Sequence, residues 1–371
     1  MHRLEGKFPG YNYINNDEIK SVSKLLKSKE LNRYAGYNKN KSCDILEDKF
    51  KKLIKKKFAL AVNSGTAALQ CALFSLNLKK NDEIIIPNFG WSADLMAIIS
   101  LGAKPVMVDI GENLGLDTEK LKKAISNKTK AVINIHMRGL PNNINNLKVY
   151  LKKKNITVIE DGSQCLGGKI NNKNIGNFGE ISTFSFQSSK LITAGEGGIV
   201  LFDKKDNYIR AKSYHDLGLL REPITKADPI GINTIHSLGF NFKMSEIHAV
   251  ILLSQLKKLN IILSRLKRNH KKIEKVFKNL IKEKYIKSDL LKKNSSSNYA
   301  FFVFRIIKKK KFVLNFIKKQ GFKYVTSTNT YDSHNFNVWK KFLIKNKYQF
   351  KNSARNNIFI KNSFYIEVNS K

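Results

Sequence analysis

One lysine, Lys190, lies between a hydroxyl-rich turn and a glycine-rich turn in "FSFQSSKLITAGEGGIV", residues 184–200. Most lysines in a lysine-rich chain are solvated surface charges, but this one stands among small and hydroxyl residues between two apolar, strand-like runs. Such surroundings disfavour the charged form of an amine, which a lysine needs in order to form a Schiff base. The stretch therefore makes Lys190 a candidate for covalent chemistry.

Two small residues follow a predicted strand elsewhere in the chain. The apolar run "FALAV" (58–62) is followed by "NSGTAAL" (63–69), in which Gly65 and Thr66 begin a predicted helix. Free backbone amides at a helix start, together with a threonine hydroxyl, can bind an anion such as a phosphate. The alternative is that these small residues merely pack a helix onto a sheet.

A carboxylate follows another predicted strand. After "ITVIE" (156–160) comes "DGSQCLGG" (161–168), which begins with Asp161 and carries Gln164 three residues later. Asp161 taken alone could cap a helix or bind solvent. If the chain turns helical here, Gln164 faces the same pocket as Asp161. Ligands of open α/β sheets bind at the carboxyl ends of the strands, where these residues fall.

Together, these three signals match what pyridoxal phosphate requires of a protein. Its aldehyde condenses with a lysine, and a carboxylate keeps its pyridine nitrogen protonated so that the ring can accept electrons. A helix N-terminus holds its phosphate. Each signal is weak alone, and their combination predicts a pyridoxal phosphate site.

Short apolar runs rich in β-branched residues recur along the chain, and helical patterns separate most of them. The predicted strands are 58–62, 83–87, 105–109, 131–135, 156–160, 182–186 and 197–202, and the predicted helices include 65–76, 118–125 and 244–280. Such strands joined by helices are typical of a parallel sheet covered on both faces. The sequence predicts a large α/β domain over residues 12–255. Residues 256–371, with 1–11 added, are predicted to form a small α+β domain.

The 371-residue chain carries a formal net charge of +39. Because a strongly basic chain can bind nucleic acid, a basic nucleic-acid-binding protein is the alternative from another functional class. The lysines are scattered from end to end, however, and the sequence has no motif of clustered basic residues or base-stacking aromatics. This favours solvated surface charge that attracts anionic small molecules, and no nucleic-acid partner.

The absence of certain sequence features indicates where the protein is located in the cell. No apolar stretch is long enough to span a bilayer, and "MHRLEGKFPGYNYINNDEIK" has no apolar core of the kind a secretory signal needs. Cys43, Cys71 and Cys165 lie far apart and form neither a CxxC pair nor a plausible disulfide set. We therefore expect a cytoplasmic protein with no membrane association and no metal site.

With these residues in view, the sequence resembles the pyridoxal-phosphate-dependent sugar aminotransferases of the DegT/DnrJ/EryC1/StrS family. The resemblance runs from about residue 12 to 260, and its most specific stretches are "NSGTAAL", "IEDGSQCLGG", "FSFQSSKLITAGEGG" and "LGFNFKMSEIHAVILLSQL". It implies the α/β architecture of fold type I aminotransferases, a mostly parallel central sheet flanked by helices with a smaller α+β C-terminal domain. It also implies a homodimer with the active site at the subunit boundary.

The resemblance also assigns roles residue by residue. It implies that Lys190 forms the Schiff base with the cofactor and that Asp161 pairs with the pyridine nitrogen. Gln164 would lie near the phenolic oxygen. Trp91, in "PNFGWSADL", would stack on the ring unless it is an ordinary core tryptophan. The other assignments concern the phosphate: Gly65, Thr66 and Ser185 would hold it, and Asn241, in "GFNFKMSE", would reach the phosphate of the neighbouring subunit.

The sequence departs from the family pattern in two places. Lys243 stands where arginine is common, and the chain stops at "SFYIEVNSK", where the family usually continues into a further helix. Because the small domain shapes much of the sugar pocket, the identity of the sugar stays open. Relatives that act as sugar dehydratases carry histidine at the position of Lys190, so this lysine favours transamination.

The leading hypothesis is an aminotransferase that moves an amino group from glutamate or glutamine to a keto-sugar carried on a nucleotide, in amino-sugar and surface-polysaccharide biosynthesis. The alternative on the same scaffold is amination of a cyclitol, or a sugar modification other than transamination. His136 and His215 lie in loops that could border a substrate, but core or solvent histidines are the favoured interpretation.

Overall fold

The computed structural model describes residues 9–34, 41–221, 232–235, 237–288, 290–291, 293–326, 334, 336, 339–345, 348, 351–352 and 362–369. Their α-helices are α1 (Asn16–Ser28), α2 (Ser42–Ile54), α3 (Gly65–Phe74), α4 (Ser92–Ser100), α5 (Thr118–Ala124), α6 (Lys148–Lys153), α7 (Lys205–Tyr214), α8 (Glu246–Lys282), α9 (Lys310–Lys319) and α10 (Lys340–Lys345). A short 3-10 helix, Gly10–Tyr13, precedes α1.

The β-strands are β1 (Phe58–Val62), β2 (Glu83–Pro87), β3 (Lys104–Val108), β4 (Thr129–Ile135), β5 (Thr157–Asp161), β6 (Lys169–Ile170), β7 (Lys173–Asn174), β8 (Ile181–Ser185), β9 (Gly198–Phe202), β10 (Leu219–Arg221), β11 (Ile232–Ile235), β12 (Ile286–Lys287), β13 (Ser295–Ser296), β14 (Phe301–Ile306), β15 (Val325–Thr326), β16 (Lys351–Asn352) and β17 (Ser363–Glu367). All seven predicted strands are present. β1 and β2 have the predicted bounds, and the other five differ by at most two residues at an end.

The described residues group into two compact units that alternate along the chain. The first unit draws on Met1–Leu78, Ile159–Ser163 and Gly176–Ile262, and the second on Lys79–Val158, Gln164–Ile175 and Leu263–Lys371. The predicted domains, 12–255 and 256–371 with 1–11, stay a prediction. Their boundary lies within the continuous helix α8, and residues 1–8 of the predicted small domain lie outside the described residues.

Strand β9 sits between β1 and β8 in the first unit and runs antiparallel to both, while β8 runs parallel to β5. The loop from β8 to β9 therefore reverses the chain without a crossover helix. The register sets Val62, Gly198 and Ser185 in one row across three strands. Asp161 pairs with Thr183, two residues before Ser185. The ends of β1, β5 and β8, and with them Asp161 and Ser185, thus lie at one edge of the sheet.

The core of the first unit is built on these strands. Leu60 on β1, Leu201 on β9 and Phe184 on β8 are fully or almost fully buried. Phe50 of the amphipathic helix α2 lies with its ring centroid 6.3 Å from that of Phe184 and 5.3 Å from that of Phe186. Burying an aromatic side chain of this kind contributes about 1.5–3 kcal/mol, so this helix face holds β8 in place.

In the second unit β2 runs parallel to β3 and β4, and β16 runs parallel to β3. Ile85, Val106 and Val132, one from each of β2, β3 and β4, belong to one buried apolar cluster. β14 and β17 form the centre of a separate antiparallel sheet with β12 and β15 at its edges. In this unit α4 lies between β2 and β3 and α5 between β3 and β4 along the chain, as the sequence predicted for a parallel sheet.

Helix α8 has 37 residues, and it is the one helix in the described part of the chain whose length and composition would allow it to cross a membrane. By these two criteria, which the core helix of a soluble protein also meets, α8 differs from the prediction that no apolar stretch is long enough to span a bilayer. Within the first unit α8 buries Ala249, Leu252, Leu259 and Ile262 along one face.

Candidate active site

The predicted phosphate-binding site at Gly65 and Thr66 is here called the phosphate seat. It requires a helix that begins where β1 ends, and α3 begins there. Ser64 caps the helix, because its hydroxyl accepts a hydrogen bond from the amide of Ala67 at 3.1 Å. Gly65 is the first residue of the ten-residue helix, and the side chain of Thr66 is exposed. The first turn of a helix carries free amides and a positive partial charge. This end of α3 is therefore suited to an anion.

Gly65 and Ser185 lie in direct contact. A Cβ built on Gly65 would lie 2.7 Å from the Cβ of Ser185 and 3.1 Å from its hydroxyl oxygen, closer than side chains pack. Helix α3 packs on β8 and β9, so the close approach belongs to the packing of the helix on the sheet. The structure thus brings together Gly65, Thr66 and Ser185 as the sequence predicts.

Asp161 ends β5 and is 6% exposed. Its Oδ1 accepts hydrogen bonds from the amide of Ser163 at 3.0 Å and from the hydroxyl of Thr183 at 3.4 Å. Within the described part of the chain, both hydrogen bonds to this carboxylate end on Oδ1. Its other oxygen, Oδ2, can therefore face a positively charged ring nitrogen.

Lys190 lies half-buried in the loop that joins β8 to β9. Its amide donates to the carbonyl of Gln187 at 2.9 Å. The Oε1 of Gln187 accepts from the amide of Ser189 at 2.9 Å and from its hydroxyl at 2.6 Å. Thr193 donates its hydroxyl to the carbonyl of Phe186 at 2.9 Å. The hydroxyl residues around Lys190 are thus used to hold the loop in a defined turn.

The main chain at Asn241 lies beside the phosphate seat. The amide of Asn63 donates to the carbonyl of Phe242 at 2.8 Å, and its side-chain Nδ2 donates to the carbonyl of Asn241 at 3.3 Å. The side chain of Asn241 is exposed. An exposed amide at this place is free to contact a molecule outside its own chain.

Asp216 contacts the chain around Asn241 and pairs with two basic side chains. Lys243 and Arg221 both pair with Asp216, whose side chain is 2% exposed, and Asp216 forms an isolated β-bridge with Asn241. Burial by itself raises the pKa of Asp216, but the hydrogen bonds from Arg221 and Lys243 outweigh it and lower the pKa below its ordinary value. Lys243, which departs from the family's usual arginine, therefore still supplies a cation.

His215 is fully buried and is oriented by two partners. Its Nδ1 faces the carbonyl of Lys212 and its Nε2 lies 3.1 Å from the hydroxyl of Tyr34, so the ring donates through Nδ1 and accepts through Nε2. Burial, aided by the nearby charge of Arg33, lowers the pKa of His215 to about 3. His136 is also fully buried and accepts a hydrogen bond from the amide of Asn142 at 2.9 Å. Both are core histidines.

Gln164 lies in the second unit, held from two sides. Its Oε1 accepts from the amide of Arg138 at 3.0 Å, and its carbonyl accepts from Nδ2 of Asn298 at 3.0 Å. Arg138 has a φ of 51°, a left-handed conformation that is unusual for arginine and turns its amide toward Gln164. The arrangement fixes the orientation of the glutamine side chain.

Trp91 also lies in the second unit and directly precedes α4. It is 49% exposed, and its ring centroid lies 5.0 Å from that of His334. The alternative that Trp91 is an ordinary core tryptophan is therefore wrong. An exposed indole is available to stack on a flat ligand.

Arg138 is a site neighbour that sequence reasoning missed. Its guanidinium lies 4.0 Å from the ring centroid of Tyr365 and 3.5 Å from Nδ1 of His334. Only nine of the 68 basic residues of the chain are arginines. The arginine in "HMRG" departs from this preference for lysine, and that departure could have marked it as a candidate site residue. Burial and the left-handed conformation became visible only in the structure.

The first unit fits pyridoxal phosphate. Gly65 leaves the space that the approach to Ser185 requires, the end of α3 offers amides to a phosphate, and the buried Asp161 keeps one oxygen for a ring nitrogen. Lys190 follows Ser185 by five residues in the next loop. Gln164 and Trp91, the other predicted residues, lie in the second unit. No group of three or more potential metal ligands occurs in the described part of the chain.

A model of the DegT/DnrJ/EryC1/StrS aminotransferase family matches residues 12–357. Among curated proteins, the chain is similar to the GDP-perosamine synthase of Escherichia coli O157:H7, with 36% identity over 220 residues. The match covers 59% of this chain and 58% of that protein, so the chain spans somewhat less than two thirds of the length of the curated relative.

Two solved structures are similar over nearly the whole chain. An aminotransferase from Psychrobacter cryohalolentis has a TM-score of 0.84 at 23% identity and covers 98% of this chain and 94% of its own. A GDP-4-keto-6-deoxymannose-3-dehydratase with a trapped PLP-glutamate geminal diamine has a TM-score of 0.80 at 25% identity, with coverages of 97% and 95%. The similarity confirms the predicted fold class, that of the fold type I aminotransferases.

Proposed function

The chain belongs to the DegT/DnrJ/EryC1/StrS aminotransferase family, whose members depend on pyridoxal phosphate, and on this premise we propose that it aminates a keto-sugar carried on a nucleotide. The observation that carries the proposal is the position of strand β8. Its Thr183 donates to the Asp161 carboxylate, its Ser185 touches the phosphate seat at Gly65, and its end leads into the Lys190 loop. One strand therefore aligns the three groups that the cofactor needs.

When bound, pyridoxal phosphate supplies an aldehyde that carries the amino group between substrates and a ring that accepts electrons. The amides at the start of α3, with Thr66 and Ser185, would hold the phosphate. The Asp161 carboxylate holds the proton on the ring nitrogen by its negative charge. The resemblance assigns Trp91 to stacking on the ring, and its exposed indole would be available for that contact.

Lys190 is the residue that moves protons. With the cofactor bound, Nζ of Lys190 would act as the base that takes the proton from the α-carbon of the amino donor and as the acid that returns it. A neutral amine is needed to take up that proton. The donor would leave as its keto acid before the keto-sugar binds, so ping-pong kinetics are expected.

The names of the relatives suggest the substrates to try first. GDP-perosamine and GDP-4-keto-6-deoxymannose are named for the related proteins, and glutamate for one of their complexes. We therefore propose a GDP-linked or similar nucleotide keto-sugar as the acceptor and glutamate or glutamine as the donor. The place of the reaction would be amino-sugar and surface-polysaccharide biosynthesis in the cytoplasm.

We also propose that the enzyme is a homodimer with shared active sites. Leu217, Leu238 and Phe240 are 56%, 88% and 56% exposed, and they lie in the same segments as the exposed Asn241. Apolar side chains exposed next to a predicted cofactor contact are expected where a second copy of the chain packs. In such a dimer, Asn241 would reach the phosphate bound by the partner.

The test is the visible absorption of the purified protein with pyridoxal phosphate, for the wild type and for Lys190→Ala. The wild type should show the band of a lysine-bound cofactor, which borohydride makes permanent, and glutamate should bleach it. Adding GDP-4-keto-6-deoxymannose should then restore the band. Lys190→Ala should show none of these changes.

Other results would favour other functions. A band that no amino donor bleaches would indicate a different reaction on the same scaffold. Bleaching by glutamate with recovery only on a keto-cyclitol would indicate the alternative acceptor. If the wild type shows no band, the aminotransferase proposal fails, and binding to nucleic acid at several salt concentrations becomes the next measurement.

A further inference from the structure

The segment that precedes α1 touches the backbone of the predicted reactive lysine. The amide of Gly10 donates a hydrogen bond to the carbonyl of Lys190 at 3.2 Å. Gly10 is buried and begins the short 3-10 helix Gly10–Tyr13. Because the amide of Lys190 bonds Gln187, the peptide groups on both sides of the lysine Cα are held.

The contact leaves no room for a side chain on residue 10. A Cβ built on Gly10 would lie 2.8 Å from the carbonyl oxygen of Lys190, 2.9 Å from that of Leu191 and 3.0 Å from Cα of Ile192. All three atoms belong to the backbone, so no flexible side chain can move aside. Glycine is needed here for close approach, since its φ lies outside the left-handed range.

A buried ion pair ties the same segment to α8. Glu18, 3% exposed, accepts from Nζ of Lys258 at 2.7 Å and 2.8 Å on its two oxygens. Gln255 donates to Glu18 at 3.1 Å. Lys258 also donates to the carbonyl of Tyr13 and to Oδ1 of Asn15, both at 2.9 Å. Lys258 thus binds both the start of α1 and the end of the 3-10 helix.

The same carboxylate also begins α1. Asn15 caps the helix by accepting from the amide of Asp17 at 2.9 Å, and its own amide donates to Glu18 Oε2 at 2.8 Å. This reciprocal capping box fixes the angle at which the chain enters the helix. The direction in which Gly10–Tyr13 approaches the Lys190 loop therefore depends on Glu18 and Lys258.

We propose that Gly10–Glu18, here called the N-terminal strap, is a positioning element for Lys190, with Gly10 as its contact and the Glu18–Lys258 pair as its anchor. This inference rests on the proposed function, because it concerns the placement of the lysine amine for cofactor chemistry. Proton transfer is sensitive to misplacement of the order of 1 Å, and a strap that holds the lysine carbonyl limits such movement.

The first experiment compares Gly10→Ala with wild type and with Gly111→Ala as the matched control. A Cβ on Gly111 would meet its nearest atom at 3.6 Å, and its φ lies outside the left-handed range, so this alanine fits. Amide hydrogen exchange of the protein without cofactor is measured over residues 184–194. The cofactor-loaded variants are then titrated with pH by absorbance, and the single-turnover rate with glutamate is measured.

For Gly10→Ala we expect faster exchange in 184–194, a shifted pH midpoint of the lysine-bound band and a single-turnover rate lower by about 10- to 100-fold. Gly111→Ala should match wild type in all three. Unchanged exchange and an unchanged rate in Gly10→Ala would overturn the inference. A wild type without the band would instead overturn the proposed function, and the exchange data on the protein without cofactor would still decide whether the strap holds the loop.

A second pair of variants works from the anchor, in case Gly10→Ala does not fold. Lys258→Met removes the cation far from the cofactor, and Lys257→Met on the exposed face of α8 is its control. We expect Lys258→Met to speed exchange in 10–18 and in 184–194 and to shift the pH midpoint. Loosening confined to 10–18, with an unchanged midpoint and rate, would show a merely structural anchor and overturn the positioning role.

Discussion

The Cβ that Gly65 lacks would lie 2.7 Å from the Cβ of Ser185, so the absence of a side chain at residue 65 is what lets helix α3 approach strand β8. The helix end and the serine hydroxyl meet at this contact. Both are predicted to bind the same phosphate, so we expect the packing of α3 on β8 to affect cofactor affinity.

Replacing Gly65 by alanine is expected to weaken pyridoxal phosphate binding by at least about tenfold, which corresponds to about 1.4 kcal/mol. The added methyl group must push α3 away from β8, and overpacking of this kind costs about 1–3 kcal/mol. Equilibrium titration of the absorbance band gives the affinity, and urea unfolding gives the stability. Gly111→Ala serves as the control, and an unchanged affinity in Gly65→Ala would contradict the phosphate seat.

The charge of Asp161 is tested by Asp161→Asn, which keeps an oxygen that can accept from Ser163 and Thr183. We expect the cofactor still to bind and the single-turnover rate with glutamate to fall by roughly 100-fold or more, because a charge that stabilises the reacting ring is lost. Thr183→Val is the companion variant, since it removes one hydrogen bond and leaves the charge. A rate in Asp161→Asn close to that of Thr183→Val would exclude the pairing with the ring nitrogen.

A shared active site can be tested by mixing two inactive variants. If Asn241 serves the partner's cofactor, a heterodimer of Lys190→Ala and Asn241→Ala contains one intact site. After random exchange of subunits, activity should recover to roughly a quarter of wild type. Mixing wild type with Lys190→Ala is the control: every wild-type chain meets an intact Asn241 in either partner, so the activity should stay in proportion to the wild-type chains. If Asn241 acted within its own chain, every site in the mixture would stay defective and no activity would return.

The buried, neutral His215 predicts how stability depends on pH. Burial lowers its pKa from 6.5 to about 3, so between these values the unfolded chain takes up a proton that the folded chain does not. Stability must therefore rise with pH in this window and fall on acidification, by up to about 1.4 kcal/mol per pH unit for one proton. Urea unfolding at pH 7 and pH 5 measures the slope.

His215→Gln should flatten that slope, because glutamine cannot take up the proton in either state. His270, whose pKa burial lowers to about 4, should keep a part of the dependence. The single variant His270→Gln is therefore the matched comparison. An unaltered slope in His215→Gln would show that His215 does not titrate differently in the folded and unfolded chain.

Much of the fold was predictable because its elements are locally encoded. The apolar runs that became β1 and β2 were predicted with the bounds that the structure has, and the helical patterns at 65–76 and 118–125 marked α3 and α5. The strand order was not predictable in this way. Strand β9 runs against its neighbours because of the turn through Lys190, and nothing in its composition distinguishes it from the parallel strands.

What the sequence by itself determined is which residues have the chemistry: a lysine amid small and hydroxyl residues, a carboxylate at a strand end and glycine with threonine at a helix start. Residue type and local spacing suffice for that, because hydrogen-bonding capacity and helix capping act over a few residues. Tertiary structure alone decided the contacts between distant segments. Gly10 meets Lys190 and Glu18 meets Lys258 across intervals of 180 and 240 residues. Such contacts depend on how layers pack, and no local pattern encodes the distance between two packed surfaces.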